Sequence, residues 1–158
     1  MTFEQQKDNL RRLARSGTLR WFTLCAAAIT VGTLVGGLLT RHPVFFMVVG
    51  MAGVLWYCAH HTRPHIHNAA QALDRDVTEP GRVRIEITNW SDSDAYTAKT
   101  VATRSGAWAF SFIAQGWVPQ SGEFDATCFL LPGVPWPALV LVEGNICYPR
   151  ETPKRVFM

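Results

Sequence analysis

The chain has 158 residues, enough for one ordinary globular domain or for a smaller domain plus another element. Charged residues make up 17% of it, below the roughly 25% of a typical soluble chain, and Lys plus Arg exceed Asp plus Glu by only 15 to 12, too little to indicate nucleic-acid binding. Four cysteines exclude a disulfide scaffold, and a hydrophobic content of 48% excludes disorder.

Residues 1–20 read as a basic amphipathic segment carrying Lys7, Arg11, Arg12, Arg15 and Arg20. Thr2 and Gln5 have capping-box spacing, and Phe3, Leu10 and Leu13 fall on one helical face. This predicts a short helix against anionic headgroups, ending near Ser16-Gly17. Between Arg20 and Arg63 the only charged residue is Arg41. The pattern predicts a transmembrane helical hairpin over 21–61, with spans 21–40 and 43–61. The first is twenty uncharged residues, near the roughly 20 needed to cross a bilayer. The second is long enough if Pro43 opens the helix and His60 and His61 finish it at the interface. A second apolar run directly behind the first speaks against a cleaved signal peptide. The basic N-terminus predicts both termini in the cytoplasm, in a bacterial-type inner membrane. Ala28, Gly32 and Gly36 repeat every four residues and Gly50 and Gly53 lie three apart. Such stripes let helices approach closely, within the hairpin or toward another subunit.

A His-rich linker follows over 62–80. His60, His61, His65 and His67 cluster after Cys58, with His42 in the far turn. Imidazole and thiolate are good metal ligands, and a helix places Cys58 and His61 on one face. Pro64 is expected to break the helix before His65. A pH-sensitive hinge or a plain interfacial segment are the other readings of this stretch.

From 81 to 149 the period changes to two. Val83, Ile85 and Ile87 alternate with polar residues. Strands are then expected over 96–103, at Trp108, Phe110 and Phe112, over 124–131, over 138–142 and at 146–148, with a hairpin turn at Gly144-Asn145. This predicts a small antiparallel all-β domain, barrel or sandwich. It holds no histidine, no nucleophile elbow and no phosphate-binding glycine loop, and Cys128 and Cys147 fall in strand patterns. No enzyme is predicted. Trp117 and Trp136, each in a proline-containing loop, are the candidate anchors for a protein partner. The alternative is that each folds back over an open barrel end. Arg150, Lys154 and Arg155 in the basic tail 150–158 complete the candidate partner-binding set.

Two spans followed by a small cytoplasmic β-domain resemble, in architecture alone, two groups. One is the membrane-anchored small-barrel accessory proteins of larger bacterial assemblies. The other is the two-transmembrane β-barrel effectors of antiphage signalling, whose barrel binds a cyclic nucleotide. The leading expectation is therefore a non-catalytic membrane-anchored subunit or scaffold. Its partners would be the lipid bilayer and other membrane-complex subunits or a second copy, with no nucleic acid. A ligand-gated effector that oligomerises in the membrane is the alternative, and metal handling by the four histidines the third. No other cofactor is expected.

Overall fold

A computed structural model describes residues 1–15, 18–40, 43–90 and 93–157. Three helices precede seven strands: α1 Phe3–Arg15, α2 Thr18–Thr40, α3 Pro43–Arg75, β1 Thr78–Trp90, β2 Ser93–Ala102, β3 Gly106–Phe112, β4 Gly122–Phe129, β5 Leu139–Val142, β6 Asn145–Cys147 and β7 Lys154–Arg155. The strands form one antiparallel sheet in the order β6-β5-β4-β1-β2-β3-β7, curled into a half-barrel. The fold is therefore α+β. The expected all-β class is corrected, because α1 and the end of α3 belong to the same compact unit as the sheet. That unit comprises Met1–Ala14 with His65–Met158; the other is Arg15–Pro64.

In the Arg15–Pro64 unit, no helix among the described residues is long and apolar enough to cross a membrane. The transmembrane hairpin over 21–61 is corrected accordingly, and the inner-membrane location, the bilayer as partner and both membrane-based functions lose their basis with it. The expected turn at Arg41-His42 lies outside the described residues, as do Ser16-Gly17.

The capping box at the start of α1 is formed: Thr2 N donates to Gln5 Oε1 at 3.0 Å and Gln5 N to Thr2 Oγ1 at 3.4 Å. Its apolar face is turned into the protein. Leu10 is fully buried, as is Gln6. Gln6 lies on the same stripe as Phe3, Leu10 and Leu13. Its Oε1 accepts from Ile146 N at 2.8 Å and its Nε2 donates to Asn145 Oδ1 at 3.0 Å. The helix thus covers edge strand β6, a position that would otherwise offer unpaired backbone groups. Arg11 adds an ion pair to Asp74 of α3 at 2.6 Å. The headgroup contact expected of this segment is replaced by contact with the sheet.

Helix α3 runs through Pro64 to Arg75, where the sequence predicts a break. Proline removes one helical hydrogen bond, to the carbonyl of His60. Downstream of it Ile66, Ala69, Ala70, Ala72 and Leu73 are buried, and this packing outweighs the lost bond. The helix ends at Asp76, in the left-handed region at φ 53°, with its N–H returned to Ala72 O at 3.1 Å.

Strand β1 is longer than its alternating core and continues N-terminally through Pro80-Gly81, a stretch the sequence reads as a breaker. Pro80 is tolerated because pairing with β2 starts only at Gly81↔Ala102, leaving Pro80 one neighbour, β4. At Gly81 a Cβ would stand 2.8 Å from Val101 O and 3.2 Å from Cys128 Sγ, so only glycine fits. The β5–β6 turn is shifted by one residue from expectation. Glu143 (φ 48°) and Gly144 (φ 78°) supply the two positive dihedrals of a two-residue hairpin. After β6 the chain returns to β3: Phe112 bridges Pro149, Arg150 N donates to Ser111 O at 2.9 Å, and β7 pairs with Trp108 and Ala109. One C-terminal segment therefore meets both ends of the sheet. The core of Val83, Ile85, Ala98, Phe110, Phe112, Cys128, Val140 and Val142 fills the concave face.

Candidate functional site

The two loop tryptophans lie over opposite ends of strand β3. At one end Trp136 packs edge-on against Trp108, with ring centroids 5.8 Å apart, and Trp108 Nε1 donates to Ser105 O at 2.5 Å. At the other, Trp117 stacks on Phe112 at 6.2 Å, and Phe112 meets Tyr96 at 5.7 Å. Both tryptophans are half-buried. Each packs part of its ring on an aromatic of the half-barrel, because a large apolar ring gains more from covering apolar surface than from facing water. Beside Trp117, Gln115 Nε2 donates to Tyr148 Oη at 2.7 Å. Burial raises the Tyr148 hydroxyl above its ordinary pKa, and the Gln115 bond opposes that rise.

The candidate partner-binding residues fall into two groups. Lys154 and Arg155, both exposed, form β7 next to Trp108 and so share the Trp136 end. The Arg155 guanidinium lies 6.0 Å from the ring of Phe157, which is 90% exposed. Arg150 is exposed and anchored at Ser111, beside Phe112 and hence toward the Trp117 end.

The small-residue set lies on α2 and α3. Gly32, Gly50 and Gly53 have nothing within 4 Å of where a Cβ would stand, Ala28 is exposed and Gly36 half-buried. Among the described residues of the Arg15–Pro64 unit, Ala26, Gly37 and Ala52 are the buried small residues. Ala28 is two residues on from Ala26, about 200° around the helix.

The histidines are fanned around α3 at about 100° per residue. His60 stacks on Trp56 at 5.6 Å, His61 meets Tyr57 at 4.2 Å, and a ring nitrogen of His67 lies 2.9 Å from Gln71 Nε2. His65 is buried. Among the described residues, no group of three or more His, Cys, Asp or Glu side chains could hold a metal ion. His42 lies outside the described residues.

Neither cysteine of the half-barrel is poised for nucleophilic chemistry. Burial, with the charge of Glu79 second, pushes the Cys128 thiol up to about 12, and burial pushes Cys147 up to about 12. Cys25 and Cys58 are exposed. A thiol-reactive dye at pH 8 is expected to label those two in the folded protein and all four after urea unfolding. Four labelled thiols in the folded state would contradict the placement of Cys128 and Cys147.

One surface has no counterpart in the candidate residues. Strand β1 pairs with β4 only as far as Ile85↔Gly122, yet continues to Trp90 against β2. Strand β2 in turn meets β3 only from Tyr96↔Phe112. Residues 86–90 and 93–95 therefore form a two-stranded ribbon with no neighbouring strand on either side among the described residues. A cleft of about 510 Å³ opens where β4 leaves, between residues 84–87 and 121–123. On its outer face Glu86 accepts from Lys99 Nζ at 2.7 Å and pairs with Arg84 at 3.4 Å. The Lys99 hydrogen bond lowers the Glu86 carboxyl from its ordinary value, opposed by burial and aided by the Lys99 and Arg84 charges. Ile87 is half-buried against the core. The sequence holds a signal for this opening: Pro119 lacks the N–H to continue β4 backward, and Ser121-Gly122 is a turn.

Compared with protein-family models, curated proteins and solved structures, the chain has no significant match in any of the three.

Proposed function

We propose that the half-barrel unit is a non-catalytic recognition module that binds a polypeptide partner at the projecting β1–β2 ribbon. The observation that carries this reading is the end of β4 pairing at Ile85↔Gly122, five residues before β1 itself ends. A two-stranded ribbon is marginally stable alone in water, so this segment gains most from a partner. A non-enzymatic role is supported by the absence of histidine over 81–149 and by the raised pKa values of both half-barrel thiols. Trp117, stacked on Phe112 beside Tyr96, acts as the rigid support beneath the ribbon. In this reading Trp117 positions the ribbon and the partner meets β1.

The test is selection of a random twelve-residue peptide display library on the purified full chain, followed by hydrogen-exchange mapping. Selected peptides are expected to slow exchange of the 84–97 amides. Peptides that protect only other regions, or no selectable binder at all, would overturn the proposal.

A further inference from the structure

We infer that the partner is taken up by strand addition, as an extended segment of another protein running along β1 beyond Ile85 and alternating apolar with polar residues. This rests on the recognition reading above and names its partner. Four features lead to it. The backbone of 86–90 has a strand on one side only, so its outward N–H and C=O groups ask for the hydrogen bonds that a strand supplies. The opening spans about 17 Å, five residues at roughly 3.4 Å each, and lies in line with β4, which would occupy it had the chain not turned away at Gly122. Across the edge, Ile85 and Ile87 face the concave core while Arg84, Glu86 and Thr88 face outward, so a new strand meets apolar surface and polar surface on alternate residues. The outward Glu86 is already paired with both Lys99 and Arg84. Selection therefore falls on the inward apolar residues.

An extended segment suits this edge better than a second copy of the chain. Edge-to-edge pairing of two five-residue strands buries far less than the roughly 1,000 Å² that a specific dimer needs. A peptide that also reaches toward Ile87 and Phe124 on the concave side adds side-chain contacts that a second ribbon, occupied by its own β2, does not. The β6 edge of the sheet is closed to such addition by α1, where Gln6 holds Ile146 N.

The peptides selected in the display experiment, resynthesised with a fluorescein label, provide the test on the full chain. Two N-methylated versions of each are made, with methyl groups on alternate residues in one register or the other. In an added strand successive N–H groups point to opposite edges. One register is therefore expected to weaken binding at least tenfold, as read by fluorescence polarisation, and the other to leave it within about twofold. The selected sequences are expected to show apolar residues at period two. If selected peptides protect 84–97 but both methylated registers bind equally, or if their apolar residues recur at helical spacing, strand addition is overturned and the recognition reading stands. If no selected peptide protects the ribbon, both fall. Sedimentation showing a dimer that protects 86–90 without peptide would overturn the inference in favour of self-pairing.

Discussion

Truncating Phe112 to alanine is expected to destabilise the half-barrel unit by about 3–5 kcal/mol, the range for a large aromatic lost from a packed core. Phe112 is 3% exposed and lies between Tyr96 and Trp117, so its ring is the common contact of two other aromatics. Its loss removes apolar burial and leaves Trp117 without the surface it stacks on. Urea unfolding followed by tryptophan fluorescence checks both consequences. The midpoint should fall and the native emission should shift to the red as Trp117 gains water. A loss below about 1 kcal/mol, at the level of an ordinary surface substitution, would show that this end of the half-barrel is not packed around Phe112. The ribbon rests on the same aromatics through Tyr96 and Ile87. Phe112→Ala should therefore also weaken peptide binding at β1, an effect through support and without direct contact.

Replacing Glu79 by alanine is expected to cost about 2–4 kcal/mol, through several hydrogen bonds to one charged group. Glu79 is 3% exposed, and its carboxylate holds the β2–β3 turn: it accepts from Arg104 N at 2.7 Å, Ser105 N at 3.1 Å and Ser105 Oγ at 2.5 Å. Alanine leaves three donors to find water at a partly buried turn. Glu79→Gln keeps one carbonyl oxygen and is expected to lose about half as much. The same turn offers Ser105 O to Trp108 Nε1, so the alanine variant should also loosen the Trp108–Trp136 pair. Equal stability of wild type and Glu79→Ala by urea unfolding would remove the carboxylate from its assigned role.

Most of the strands were legible because a half-buried strand writes its own period. Val83, Ile85 and Ile87 on β1, and Trp108, Phe110 and Phe112 on β3, point inward as the alternation requires. The N-terminal helix was legible for the same reason, down to its capping box. What covers its apolar face was not. Gln6, a polar residue in the middle of that stripe, is what meets the edge of β6. The hairpin over 21–61 was inferred from the lack of charge between Arg20 and Arg63. Lack of charge in a helical stretch does not by itself place that stretch in a bilayer.

Composition, period and turn residues determined by themselves that this chain has helices first and an antiparallel sheet after them, and that residues 81–149 hold no histidine. These properties are local, set by side-chain direction and by the dihedral limits of Gly and Pro. Tertiary structure alone decided which surfaces face one another: α1 on β6, Glu79 under the turn at Ser105, the two tryptophans over the ends of β3, and the free edge of β1 beyond Ile85. Each depends on where distant strands stop pairing, and that is settled by the packing of the whole unit, with contacts spanning as many as 140 positions in the chain. The edge of β1 is open because β4 turns away at Gly122 while β1 keeps its partner on the other side.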